Sequence, residues 1–244
     1  VSVNHLLQFM IASQNCRTRE ELLLEFDNLL EAYGIAYFGI VRTPKPDQNP
    51  LSLVLAGRWP DKWPQIYVTK KFVLIDPSIR YLAQAQKPFR WSEALEVYRD
   101  DPHFKRMQRM MSEAHRMGLE DGYVFPVHGR GGLLGNLTMG GPNLELSPLE
   151  VVLFDSAAKC AFWALCDIAG TPGQILPKVD ARLTRRELEI LNYLGEGMTS
   201  NEMSRLLDIS NHTVDWYVNE LQSKLNAKNR QHMVALALRL GLIT

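Results

Sequence analysis

The sequence predicts an α+β chain in two parts, an α/β/α sandwich followed by an all-α four-helix domain. Three observations carry this. Helical patterns stand before, between and after strand-like runs in the first part, which suits a sheet enclosed by helices. A Gly/Pro-rich stretch, GTPGQILPKVDAR from Gly170 to Arg182, interrupts two long helical patterns. Beyond it lie four helical segments and no strand-like run. The predicted organisation is a first domain over 1–169, a linker over 170–182 and a second domain over 183–244.

In the first domain, Val3 to Ser13 reads as a short helix. Thr18 and Glu21 form a capping box that opens a helix from Arg19 to about Tyr33, with Leu22, Leu23, Phe26, Leu29 and Leu30 on one side. Gly34 ends it. Ala36 to Thr43 and Leu51 to Ala56 are strand-like, joined by a Pro/Asn/Asp loop. Pro64 to Lys71 looks helical, a short helix follows Pro77, and another spans Pro102 to Met117, stopped by Gly118. Tyr123 to His128 and Leu133 to Gly140 read as a hairpin around GRGG. Ser147 as N-cap and Pro148 at the first helical position start a long helix through about Ile168.

The second domain opens with a capping box at Thr184 and Glu187, for a helix to about Leu194. A second box, Thr199 and Glu202, opens a helix to about Leu207. A tight turn over Asp208 to Ser210 leads into a third helix, Asn211 to Leu225. The fourth runs from Arg230 to Leu240 and ends at Gly241.

Bulk composition narrows the classes. The chain has 244 residues, 46% hydrophobic and 22% charged, as expected of a core-forming protein. Its formal net charge is zero, so any basic surface must be local. Cys16, Cys160 and Cys166 suit a reducing compartment, and Cys160 and Cys166, about 120° apart on a helix, read as packing residues. No apolar run reaches membrane-spanning length, and VSVNHLLQFM does not read as an export signal, so a cytoplasmic location is expected. His128 to Gly132, HGRGG, has the look of an oxyanion loop, but no G-x-S-x-G nucleophile elbow accompanies it, so a glycine-rich turn is the simpler reading. The six histidines show no metal-ligand spacing, and no glycine loop cradles a phosphate. A binding protein is expected rather than an enzyme, with no metal and no cofactor.

Two short helices joined by a three-residue turn make a helix-turn-helix. In the third helix Val214, Val218, Leu221 and Leu225 form the core face. The opposite face carries Thr213, Asp215, Trp216, Asn219 and Gln222, which would meet a DNA groove. Asn can bond adenine twice, Asp can accept from cytosine N4, and Trp can press on a thymine methyl. Lys224, with Lys228 and Arg230, is placed to meet phosphates. From Lys178 onward nine Lys/Arg face eight Asp/Glu, a net of only +1, so a small helical bundle that binds protein remains an alternative.

The segment from Leu183 to Ile243 resembles the helix-turn-helix of LuxR-type regulators along its whole length. Glu187, Leu191, Gly197, Thr199, Glu202, the turn Ile209 to Val214 and the pair Lys224-Leu225 carry the likeness. It departs from the pattern at Asp215 and Asn219, where Arg or Lys is frequent, and at Met198, where lysine is common.

In the first domain, Trp63 and Tyr67 are four apart and share a helical face, with Asp76 just beyond, before Pro77. By itself Asp76 reads equally as the N-cap of the helix after it. The segment also resembles the W-x3-Y-x8-D-P pattern of quorum-sensing LuxR proteins, through Trp63, Tyr67, Asp76 and Pro77. Trp91, the glycines Gly118 and Gly122, Pro126 and Thr138 extend the likeness. That resemblance implies a pocket for an N-acyl-homoserine lactone. Trp63 N–H would then donate to the lactone carbonyl, Asp76 accept from the amide N–H, and Tyr67 donate to the amide carbonyl. Trp91 would be a flat wall and Thr138 a further polar contact, with Trp59, Gly39 and Val41 near the tail or ring. The resemblance further implies a homodimer on palindromic double-stranded DNA. Two alternatives stay open: a LuxR-like regulator answering another small molecule or none, and an adaptor with weakened DNA binding.

Overall fold

The computed structural model describes residues 2–43, 50–129, 131–170 and 183–243. They form two compact units, each described by itself. The expected linker lies, beyond Gly170, outside the described residues, as do most of the Pro/Asn/Asp loop and Arg130 of GRGG.

The first unit begins with α1 (Ser2–Ala12) and α2 (Arg19–Ala32). The Thr18–Glu21 box opens α2, and Gly34, at φ +65°, supplies the left-handed turn after it. Strand β1 is Tyr37–Arg42 and β2 is Val54–Arg58. The strand expected from Leu51 starts later, because Pro50–Leu53 is a 3-10 turn. Proline has a fixed φ and no N–H for the ladder. After α3 (Trp63–Thr69), a 3-10 turn (Phe72–Leu74) and α4 (Pro77–Leu82) come two elements the sequence reading did not place. These are β3 (Phe89–Arg90) and α5 (Trp91–Val97), both too short for a period to register. Next are α6 (Phe104–Arg116), the strands β4 (Asp121–Gly129) and β5 (Gly132–Gly141), and α7 (Pro148–Ile168) behind its Ser147–Glu150 box.

The five strands lie in the order β2-β1-β5-β4-β3. β1 pairs antiparallel with both β2 and β5, and the pairing aligns Gly57, Gly39 and Thr138 in one row. Alternation along each strand sorts the two faces. Phe38, Ile40, Phe125, Val127, Leu137 and Met139 are buried on one face. There Phe38 meets Phe26 of α2 edge-on at 5.1 Å between ring centres, and Phe125 lies 6.0 Å from Phe154 of α7. Each such fully buried ring contributes about 1.5–3 kcal/mol. The other face carries Tyr37, Gly39, Gly122, Thr138 and Gly140. It is roofed by a second cluster: Trp63, Phe72, Ile75, Met110, Ala114 and Leu119, with Trp59, Tyr67 and Trp91 packed against it. This is the predicted α/β/α sandwich.

The second unit is α8 (Arg185–Gly195), α9 (Ser200–Leu207), α10 (Asn211–Lys224) and α11 (Arg230–Leu240), with no strand among its described residues. Both predicted capping boxes are made. Asp208 leaves α9 in the left-handed region at φ 52°, and Ser210 caps α10, so the turn is three residues long. Ile190, Leu191, Met203, Val214, Val218, Leu221, Met233 and Ala237 share one core.

Candidate ligand pocket and DNA-reading helix

Asp76 holds two positions at once. Its Oδ1 accepts from the backbone N–H of Ser78 at 2.8 Å and of Ile79 at 3.4 Å, capping α4. Its Oδ2 accepts from the Tyr67 hydroxyl at 2.8 Å. The capping and the site readings of Asp76 are therefore compatible, one oxygen for each. Trp63 stands one helical turn before Tyr67 with its ring centre 5.9 Å away, and Phe72 backs both rings at 6.1 Å. Among the described residues nothing accepts the Trp63 indole N–H. Indole, phenol and acid thus converge.

Asp76 and Tyr67 keep some accessible surface, yet desolvation dominates how both titrate. Burial pushes the Asp76 carboxyl up, and the donors Tyr67, Ser78 and Ile79 offset that only in part. Burial, then the Asp76 charge and hydrogen bond, push the Tyr67 phenol well above its usual range, so it stays a donor. The donor is directed at Asp76, rather than standing free for a ligand carbonyl.

Trp91 opens α5, and Asp121 fixes it there. Asp121 Oδ1 accepts from Ser92 N–H at 3.2 Å, while its Oδ2 accepts from the Ser92 hydroxyl at 2.8 Å and pairs with Arg90 at 2.9 Å. The Trp91 indole lies flat on the sheet and its Nε1 donates to Thr138 Oγ1 at 3.1 Å. Glycine beneath makes this possible: a Cβ on Gly122 would stand 2.7 Å from Trp91 Cζ2, and one on Gly140 would overlap the same ring. The Trp91 indole thus presents a flat ring over β4 and β5, with Thr138 as its hydrogen-bond partner. Trp59 lies in the same manner on Gly39 and Gly57. Sequence reading missed the roof residues Phe72, Met110, Ala114 and Leu119. Helical spacing of Met107, Met110 and Ala114 was the available signal.

In the second unit Trp216, Asn219 and Asp215 are exposed on α10, Trp216 at 54%. Thr213 is half-buried, its hydroxyl 2.8 Å from that of Ser210. The two charged groups among those expected also have partners inside the unit. Asp215 Oδ1 accepts from Ser200 at 2.7 Å and pairs with Arg230 at 2.9 Å. Lys224 donates to both oxygens of the buried Glu187, at 2.7 and 2.9 Å. Burial pushes Glu187 up, but the bonds from Lys224 and Thr184 outweigh it and hold the carboxyl below its usual value. The expected phosphate contact of Lys224 therefore competes with an internal ion pair.

An α/β/α unit that gathers an indole, a phenol and an acid over its sheet, together with a helix-turn-helix unit, is the arrangement of a ligand-regulated DNA-binding protein. Comparison with known families agrees. Residues 18–165, more than half of the chain, match the autoinducer binding domain, and residues 181–237 match the family described as bacterial regulatory proteins, luxR family. The chain belongs to the LuxR family of ligand-binding transcriptional regulators in quorum sensing. It is 33% identical over 226 residues to the HTH-type quorum sensing-dependent transcriptional regulator RpaR of Rhodopseudomonas palustris, covering 91% of this chain and 88% of RpaR. Against the transcriptional activator protein BjaR1 of Bradyrhizobium diazoefficiens it is 30% identical over 216 residues, 87% of this chain and 86% of that one. The crystal structure of Escherichia coli SdiA shares the fold, with a TM-score of 0.61 over 98% of both chains at 23% identity. No helix among the described residues is long and apolar enough to cross a membrane, and none of their His, Cys, Asp and Glu side chains group into a metal site.

Proposed function

We propose that this regulator senses an N-acyl-homoserine lactone and acts in the cytoplasm as a homodimer on palindromic double-stranded DNA, without enzymatic activity. The observation that carries the ligand reading is the convergence of Tyr67 on Asp76 beside the unpartnered indole N–H of Trp63. A carboxylate oxygen has two lone-pair sites, and Tyr67 takes one of those on Oδ2. The other suits an amide N–H. Trp63 N–H suits a lactone carbonyl, and Trp91 walls the ring. In the second unit Thr213, Trp216 and Asn219 are the proposed groove-facing side chains. Asp215 supports them by holding Arg230, and Lys224 is structural before it is a phosphate contact. The exposed Leu149 and Val152 of α7 and Leu238 of α11 are the proposed self-association surfaces.

The test is a thermal-shift panel of acyl and aryl lactones on the full-length protein. A ligand that binds only the folded state at a hundred times its Kd stabilises by about 2.7 kcal/mol, a rise of several degrees. A flat response across the panel would remove the lactone from this reading.

A further inference from the structure

Trp59 follows β2 directly and is half-buried. Its ring rests on the two glycines that pair across β1 and β2. A Cβ on Gly39 would lie 2.6 Å from Trp59 Cζ2 and 3.3 Å from Cε2. A Cβ on Gly57 would overlap Cη2 and Cζ3 instead. The Cε2 end, which bears Nε1, therefore lies over β1 on the Thr138 side, and the Cη2 end lies over the edge strand β2. The same virtual Cβ on Gly39 stands 3.4 Å from Thr138 Cγ2, so indole and threonine are neighbours along one row of the floor. Among the described residues, nothing accepts the Trp59 N–H.

Trp91 is the counterpart two residues further along β5, over Gly140 and over Gly122 of β4, and its Nε1 reaches back to Thr138. Along the Thr138 row the Trp59 indole covers two strands, β2 and β1, which lie about 4.8 Å apart. Thr138 is the strip of floor where the two indoles meet, bonded to Trp91 and next to Trp59. Neither indole can sink, because each already lies against glycine backbone. A long linear chain leaving this strip over β1 and β2 would have to expel Trp59, whereas a short, branched or planar acyl group would lie against its face.

We propose that Trp59 is a specificity-determining residue for the acyl group, closing the β2 side of the site so that compact acyl lactones are taken in preference to long linear ones. The proposal rests on the lactone reading above and adds the class of tail. The experiment titrates butanoyl-, benzoyl- and dodecanoyl-homoserine lactone into the full-length protein and its Trp59→Ala and Trp59→Phe variants. The unaltered protein should bind butanoyl or benzoyl lactone at least about tenfold more tightly than dodecanoyl lactone. Trp59→Ala should cut that ratio below about threefold or reverse it. Trp59→Phe, with a smaller ring that keeps the wall partly filled, should fall between and gives the answer if the alanine variant does not fold. Equal or tighter binding of dodecanoyl lactone by the unaltered protein overturns the proposal, as does an unchanged ratio in a folded variant. Binding of no lactone at all is a separate result, and overturns the lactone reading on which the proposal stands.

Discussion

Asp76→Asn separates the capping that Asp76 performs from the ligand role proposed for it. Asparagine is as good an N-cap as aspartate, so its side-chain oxygen can keep the bonds from Ser78 and Ile79. Its amide nitrogen then faces Tyr67 and can donate to the phenol oxygen, reversing the 2.8 Å bond without breaking it. The change falls on the ligand. A charge-assisted bond to the lactone amide, worth about 1.5–3 kcal/mol, is lost, and two donors face each other, one of them unpaired at about 1–3 kcal/mol. The sum, about 2.5–6 kcal/mol, is at least about 60-fold in affinity. Stability without ligand should move the other way or stay level, because the carboxyl that burial pushes up is gone. Isothermal titration with the best lactone and urea denaturation of the same preparation measure both. Affinity within about threefold of the unaltered protein would refute the amide role of Asp76. Weakened affinity with an equal loss of stability would refute the separation of tasks.

Lys224→Met should destabilise the second unit by about 3 kcal/mol, the low end for a broken buried pair because the lysine side chain is 35% exposed. The double variant with Glu187→Gln should recover much of that in a urea titration. A pure phosphate role would instead leave stability unchanged and reduce the salt slope of DNA binding by about one. Gly122→Ala should cost about 1–3 kcal/mol, since its Cβ would overlap the Met139 carbonyl oxygen and stand 2.7 Å from Trp91, and should weaken lactone binding in the same assay. Asn219→Ala should lose about 1–3 kcal/mol of site discrimination in a gel-shift series; an unaltered preference would remove α10 as the reader. In pH scans of melting temperature, the unaltered protein should lose ground to Asp76→Asn as pH rises from about 4. The raised carboxyl binds its proton more tightly when folded, so its contribution is full below the unfolded value and lost as pH passes through the folded one.

Long-period features were legible from residues alone, and short-range ones were not. Each helix that opens with a Ser or Thr capping box was placed to within a residue or two, because the box fixes a boundary that periodicity leaves vague. β3 has two residues and α5 seven, and neither offers a repeat to read. The choice between capping and ligand roles for Asp76 could not be made from sequence, since it turns on which way each carboxylate oxygen points. Lys224 was assigned outward by its place in a basic run. Its true neighbour, Glu187, lies thirty-seven residues earlier, and only the fold of the core brings the two together. The glycines beneath Trp59 and Trp91 were visible as letters, but the register that sets Gly57, Gly39 and Thr138 in one row is a property of the sheet.

Two carboxylates with opposite perturbations explain how such a regulator can depend on its signal. Glu187 is buried, but an ammonium and the N–H and O–H of Thr184 reach it, and the balance favours its charge. The second unit therefore satisfies its own acid. Asp76 has neutral donors: the Tyr67 phenol, the N–H groups of Ser78 and Ile79, and the Ser78 side chain. Burial outweighs them, and the carboxyl is pushed up. In its proposed role Asp76 would gain a further donor, a ligand amide N–H, from outside the chain. Ligand binding and Asp76 ionisation must then be coupled, each favouring the other by the same factor. Affinity should accordingly fall as pH drops through the raised Asp76 value, and the fall should vanish in Asp76→Asn. A lactone affinity that stays constant through that range in the unaltered protein would mean the amide is held by some other group.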